Sequence, residues 1–290
     1  MAIVLGEPGA DRLSGVVDVL REWQDDGAPW QLHPGDLGWF WRFGAETTAA
    51  AVRTWSRDGR ILAVGLLDDP ELRLLRLTVA PDARRDRELA RHLVEDVTGP
   101  ERGVLAEGKV CVEAPRGALV HDLLLEDGWK AGEPWAPLRR DLTGPVKDTG
   151  MRIEVIGPEQ AHVRAAVQRA SFDGSTFTEE HWHAMAAGSP YADARCLVAY
   201  DDRGDAVAAT TVWSAGPDKP GLLEPLGVRR ERRGHGYGTA IVLAAAAALR
   251  ELGSSSAIVY TPSSNVGAIA TYESAGFRRL PEIRDLCRDA

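Results

Sequence analysis

The stretch Val228–Thr239, Val-Arg-Arg-Glu-Arg-Arg-Gly-His-Gly-Tyr-Gly-Thr, holds the residues best suited to chemistry. Gly234, Gly236 and Gly238 alternate there with larger side chains. Glycine has no Cβ, so such a loop can turn several backbone N–H groups toward one point. The apolar run Leu222–Val228 precedes it, and Ala240-Ile-Val-Leu-Ala-Ala-Ala-Ala-Ala-Leu-Arg, of high helix propensity, follows. A strand therefore ends in a loop from which a helix starts, and the positive end of the helix dipole adds to the N–H groups. Such a device holds a phosphate or pyrophosphate. No Lys-Ser or Lys-Thr follows the glycines, so this is not the lysine-bearing phosphate loop, and their spacing is not the dinucleotide fingerprint. Arg229, Arg230, Arg232 and Arg233 form a local cationic run suited to phosphate oxygens, of which one or two are expected to reach the ligand.

A second stretch, Ala257-Ile-Val-Tyr-Thr-Pro-Ser-Ser-Asn265, leads into Val-Gly-Ala268-Ile-Ala-Thr-Tyr272-Glu-Ser-Ala-Gly276-Phe277. The pattern Arg-x-x-Gly-x-Gly, at Arg233, Gly236 and Gly238, resembles the coenzyme A loop of the GNAT superfamily of acyl-CoA N-acyltransferases. The pattern Asn-x-x-Ala-x-x-x-Tyr-x-x-x-Gly-Phe, at Asn265, Ala268, Tyr272, Gly276 and Phe277, resembles that superfamily's other signature. The two occur in the family's order, at a separation that fits one helix and one strand.

The resemblance implies a fold of α/β (α+β) class, with a mixed, mostly antiparallel central sheet flanked by helices. It implies that strand 222–228 lies beside 257–261 and splays from it. The pantetheine arm of acetyl-CoA would bond there to the backbone of Leu226, Gly227 and Val228. Pro225 has no N–H, which fits a bulge or the start of the splay. The pyrophosphate is implied to rest on N–H groups of Arg233, Gly234, His235, Gly236, Tyr237, Gly238 and Thr239, with Asn265 and Ala268 beside the coenzyme. Tyr272 is implied as the general acid that protonates the departing thiolate. A base is also needed, because an ammonium group is no nucleophile until it loses a proton. Glu224 is the candidate, placed by period two on the same strand face as Leu226 and Val228; a substrate-binding or structural role is its alternative. Backbone N–H groups near Leu226–Val228 would stabilise the oxyanion. No metal is required. The implied reaction carries an acetyl group from acetyl-CoA to a primary amine, of a small molecule, by direct attack in a ternary complex. The alternatives are acetylation of a protein lysine or N-terminus, and an acyl-CoA-binding regulator without turnover.

Positioning these groups takes further elements. Met151–Ile156 reads as a short strand, and Pro158–Ser171 and Thr178–Ala187 read as helices. In the superfamily those two helices wall the acceptor site, here with Phe172, Asp173, Phe177, His181, Trp182 and His183. His181 and His183 are two apart, which on a helix points them to different faces and makes a poor metal pair. Strands 196–200 and 206–213 flank the turn Asp201–Gly204 as a hairpin, with Cys196 as a buried strand residue. Gly276 is expected to end the last helix as a left-handed cap.

A faint repeat runs through the chain. Val79–Leu89 lies on Val228–Gly238 at an offset of 149, and Gly128-Trp129 lies on Gly276-Phe277 at 148. The chain thus reads as two tandem GNAT folds, residues 1–145 and 146–290, joined by a linker rich in Gly, Pro and polar residues. In the first copy Arg87 and Leu89 stand for Gly236 and Gly238, and Leu124 stands for Tyr272, so this copy reads as degenerate. The layout resembles mycothiol synthase and related bacterial tandem acetyltransferases. The aromatic stretch Trp30–Arg42, with His33 and Asp36, reads as core or inter-domain packing, with a cover over the second copy's cleft as the alternative.

Composition bounds the partners. A net charge of −9 argues against nucleic acid, and no apolar run approaches the roughly 20 residues that span a bilayer. Cys111, Cys196 and Cys287 are odd in number, far apart and without CxxC spacing, so neither a disulfide framework nor a zinc site is expected. A cytoplasmic monomer or homodimer, with no nucleic acid and no membrane as partner, is the expectation.

Overall fold

The structure, a computed structural model, describes residues 2–28, 31–68, 71 and 73–289. In chain order it begins with β1 (Val4–Gly6), α1 (Leu13–Trp23), α2 (Pro34–Phe40), α3 (Ala45–Ala51), β2 (Val52–Arg57), β3 (Arg60–Leu67) and β4 (Leu74–Val79). It continues through α4 (Arg87–Thr98), β5 (Val110–Glu113), α5 (Leu119–Glu126), β6 (Lys130–Asp141) and β7 (Ile153–Val155). Then follow α6 (Ala161–Ser171), α7 (Glu179–Ala186), β8 (Ala194–Tyr200), β9 (Ala206–Trp213), β10 (Pro220–Val228) and α8 (Tyr237–Glu251). The last elements are β11 (Ser256–Pro262), α9 (Val266–Ser274), β12 (Arg278–Arg279) and β13 (Ile283–Arg288).

The chain forms two compact units that are not contiguous in sequence. The first takes Met1–Leu32, Glu46–Trp135 and Glu282–Ala290; the second takes His33–Ala45 and Ala136–Pro281. In the first, β1–β4 pair as successive antiparallel neighbours, β4 pairs parallel to β5, and β13 pairs antiparallel to both β5 and β6. In the second, β7–β10 are again successive antiparallel neighbours, and β10 pairs parallel to β11. Each parallel pair is joined by a helix, α4 or α8, because two parallel neighbours need a crossover connection. The mixed, mostly antiparallel sheet flanked by helices expected from the sequence is what is found.

Alternation along β8 distributes the core of the second unit. Cys196, Val198 and Tyr200 pack with Val167 of α6 and Trp182 and Met185 of α7. Leu197 and Ala199 pack with Ile241, Val242, Ala245 and Leu249 of α8. This is the period of two that puts successive side chains on opposite faces. Helices α6 and α7 sit within a residue or three of their expected bounds. Thr178 caps α7, with its Oγ1 accepting from the His181 N–H at 3.3 Å while His181 Nδ1 accepts from the Thr178 N–H at 3.2 Å. His181 is thereby a capping residue, and His183 is exposed.

The aromatic stretch resolves into core packing. His33–Ala45 belongs to the second unit, where Trp39 stacks on Phe177 with ring centroids 5.4 Å apart. Trp30 lies outside the described residues.

Two cysteines correct the sequence reading. Cys111 and Cys287 stand opposite each other in the β5–β13 register and form a disulfide across a separation of 176 residues. Spacing rules search for near neighbours in sequence, whereas this pair is brought together by a strand from the far end of the chain. The expectation of a cytoplasmic location therefore loses its cysteine argument. Cys196 is free and buried, as expected. Among the described residues no helix is long and apolar enough to cross a membrane.

Candidate acyl-transfer site

Strand β10 carries the first wall of the site. Its pairing with β11 runs only from Pro220↔Ser256 to Leu222↔Ile258, so beyond Leu222 that edge of β10 is released. On its other edge Leu226, Gly227 and Val228 stay paired with Thr210, Ala209 and Ala208 of β9. Backbone N–H and C=O groups alternate between the two edges of a strand, so those not used by β9 point into the notch. The register shifts between Leu223 and Leu226, with Glu224 and Pro225 on β10 opposite Thr211 alone on β9. This bulge lies where Pro225 predicts it. It also removes the alternation argument that put Glu224 on the face of Leu226 and Val228, since an extra residue breaks period two. Gly227 is required here by close approach: an added Cβ would lie 2.6 Å from Ser171 Cβ and 2.7 Å from Phe172 Cε2.

The loop after β10 carries the second wall. Gly234 and Gly236 have φ of +80° and +83°, the left-handed region that side chains resist. Gly238 serves differently. It lies in the first turn of α8, where a Cβ would meet Thr271 Cγ2 at 2.9 Å, so glycine lets α8 and α9 approach. Gly236 is the N-cap of α8 and provides no side-chain hydrogen bond, which leaves the N–H groups of the first turn facing the loop. The neighbouring arginines differ in how they are held. Arg229 pairs with Glu231 at 2.8 Å and Arg230 with Asp173, while Arg232 pairs both with Asp205 at 2.9 Å and with the nearly buried Asp201 carboxylate at 3.2 Å. Pairs near the surface contribute only ~0–1 kcal/mol, so an incoming phosphate can claim Arg229 and Arg230. Arg233 donates from Nη2 to the Ser171 carbonyl at 2.8 Å, which ties the loop to the end of α6.

The third wall is α9. Asn265 caps it, Oδ1 accepting from the Ala268 N–H at 3.2 Å, which adds a structural role to the one the resemblance implies. At the other end Gly276, with φ +84°, donates its N–H to Glu273 O at 2.9 Å, and the Phe277 N–H reaches Tyr272 O at 3.1 Å. These are the two bonds of a Schellman cap, and the ring contact of Phe277 with Tyr272, 5.7 Å between centroids, is its hydrophobic partner. The cap fixes the register at which Tyr272 meets the cleft. Burial, and then the charge of Glu224, push the Tyr272 hydroxyl well above the ordinary tyrosine value.

The three walls enclose a cleft of ≈ 530 Å³. It brings together Leu226, Gly227, Val228, Arg233, Gly234, Gly236, Tyr237, Gly238, Thr239, Asn265, Ala268 and Tyr272, all predicted from sequence. Glu224 and His235 do not line it. His235 turns its Nδ1 toward the Arg233 carbonyl, 2.9 Å away, and its ring stacks beside Tyr237 at 5.9 Å. Glu224 is half-buried, and its charge is felt at Tyr272. Phe172, named for the acceptor wall, and Arg232, of the cationic run, also line it, while Ser171, Gly267 and Thr271 line it without having been assigned to the site. For Ser171 the signal was Gly227, a strand glycine that marks close approach of another chain segment.

These features meet in one segment. Residues 165–277 match the acetyltransferase (GNAT) family. The matched segment runs from within α6 to just past α9 and includes every lining residue of the cleft. Solved structures agree on the fold. A GCN5-related N-acetyltransferase from Sphaerobacter thermophilus superposes with a TM-score of 0.58 at 19% identity, covering 99% of this chain and 95% of that one. A tandem GNAT protein from the clavulanic acid biosynthesis pathway gives 0.63 at 17% identity, covering 99% and 98%. A GNAT-family acetyltransferase from Colwellia psychrerythraea gives 0.61 at 16%, covering 99% of each chain. At these identities the likeness speaks for the fold. Comparison with curated proteins gives no match. Among the described residues no group of His, Cys, Asp and Glu is arranged to hold a metal ion.

Proposed function

We propose that the protein is an N-acetyltransferase that moves an acetyl group from acetyl-CoA to a primary amine of a small molecule. The carrying observation is the cleft itself, where a released strand edge, an uncapped helix N-terminus and a buried tyrosine face one another. A released edge suits the amides of pantetheine, which bond as a strand would. First-turn N–H groups of α8 suit its pyrophosphate. The cleft has the size of small-molecule sites, ~300–1,000 Å³.

In this reading Glu224 takes the proton of the acceptor ammonium, directly or through a water. The amine nitrogen then attacks the thioester carbon, and N–H groups near Leu226–Val228 bear the oxyanion. The tetrahedral intermediate then collapses with cleavage of the C–S bond, Tyr272 gives its proton to the departing thiolate, and the extra proton on the new amide nitrogen restores the phenol. Both reactants are held together, without a covalent enzyme intermediate.

Residues 1–145 are read as a degenerate copy of the same fold and 146–290 as the catalytic one. The matching order and sense of strands in the two units supports this. So does the start of α4. There the Asp86 carboxylate accepts from the Leu89 N–H at 3.0 Å and pairs with Arg57 at 2.7 Å, filling with its own charge the place where α8 is open. A cytoplasmic location remains part of the proposal.

The test is release of coenzyme A thiol from acetyl-CoA against a broad panel of amines. Turnover with one class of small amine is expected, and Glu224→Gln should lower kcat about a hundredfold. Tight acetyl-CoA binding with no turnover would favour a regulator, and turnover only on peptides a protein acetyltransferase. Gly236→Val, which forces a branched side chain to φ +83°, should weaken coenzyme A binding about tenfold by calorimetry, the equivalent of ~1–3 kcal/mol of backbone strain.

A further inference from the structure

The segment Glu224-Pro225 is a bulge, and bulged residues have lost the ladder bonds that would hold them. Trp213, fully buried at the end of β9, donates its indole Nε1–H to the Glu224 carbonyl at 2.7 Å. The indole is held in turn by α2, the helix of the His33–Ala45 segment. A Cβ on Gly35 would stand 2.5 Å from Trp213 Cβ and Cγ, and one on Gly38 would stand 2.3 Å from Cζ3. Two glycines one turn apart thus press helix backbone flat against the ring.

The helix is itself anchored to β10. His33 is fully buried, and its Nδ1 accepts from the Gly35 N–H at 2.9 Å. Nε2 therefore carries the proton and donates it to the Pro220 carbonyl at 3.1 Å. The Asp36 carboxylate accepts from the His33 N–H at 2.6 Å and closes the cap. A chain of direct contacts runs from His33 through α2 to Trp213 and ends on the residue proposed as base.

We infer that Trp213, backed by the α2 glycines, is a positioning residue that acts on the reaction through Glu224. This rests on the reading of Glu224 as the base. Loss of one neutral hydrogen bond should lower kcat a few-fold to about tenfold where that bond holds a reacting group.

The experiment is a double-mutant cycle on the full chain, with Trp213→Phe, Glu224→Gln and the two combined. Replacing Trp213 by benzothienylalanine, which keeps the ring and removes only the N–H, serves should Trp213→Phe not fold. The expected result is a kcat lowered about five- to tenfold in the position-213 variant, with unchanged coenzyme A affinity and KM for acetyl-CoA. The combined variant should be no slower than Glu224→Gln alone. Multiplying losses in the combined variant would overturn the inference, because Trp213 would then act independently of Glu224. So would full turnover in the position-213 variant beside an impaired Glu224→Gln, which leaves the base assignment standing. Full turnover in Glu224→Gln would overturn the base assignment and the inference together.

Discussion

Tyr272→Phe is expected to lower kcat by about a hundred- to ten-thousandfold, the range that a positioned general acid contributes, while coenzyme A affinity changes little. The phenyl ring that packs on Phe277 is retained, as are the Schellman bonds, which are made by backbone. Only the hydroxyl disappears, and it disappears from the wall of the cleft. Steady-state kinetics and calorimetric binding of coenzyme A, run side by side, separate the two quantities. Equal turnover in Tyr272→Phe would remove this tyrosine from the mechanism. The raised pKa adds a condition on pH. Burial and the Glu224 charge both disfavour the phenolate, so the acid stays protonated through and beyond the range where free tyrosine ionises, about pH 10. An alkaline loss of rate below pH 10 should therefore belong to another group. For stability the sign is the same. The unfolded chain loses this proton more readily than the folded one, so the contribution is complete below about pH 10 and is lost as pH climbs toward the folded value.

Cys287→Ser is expected to lower stability by about 2–4 kcal/mol, with the loop-entropy estimate reaching ~5 kcal/mol for so long a closed loop. The bridge joins residues 176 apart in sequence, so an unfolded chain without it regains a large conformational freedom. Chemical denaturation of oxidised protein, reduced protein and the variant measures the effect. Reduced wild type and Cys287→Ser should unfold at the same midpoint, below that of the oxidised protein. Identical midpoints for all three would mean that the bridge contributes nothing in solution.

What the sequence revealed was local. The glycine loop, the cap at Gly276, the hairpin tip after Tyr200 and the bulge at Pro225 are each written in a few adjacent residues. Backbone preference acts over that range. Glu224 marks the limit of this reading, since one inserted residue in β10 cancels the alternation from which its direction was argued. Pairings across the chain left no such mark. Nothing near Cys111 announces Cys287, and nothing in Pro34–Phe40 says that its glycines meet Trp213. The cleft residue Ser171 was hidden for the same reason, as its partner Gly227 is more than fifty positions away.

The membership of the two units bears on how the chain is made. The first unit lacks the strand between β5 and β6 until Glu282–Ala290 exists, while the second needs His33–Ala45 from near the start. On a ribosome, which releases the N-terminus first, the second unit is incomplete until the segment up to Pro281 has been made, and the first until the segment from Glu282 onward follows it. Gene fragments cut at the apparent midpoint would each encode a unit missing a segment, so recombination that shuffles halves between relatives is penalised. Two units that share segments in this way are inherited, synthesised and lost as one.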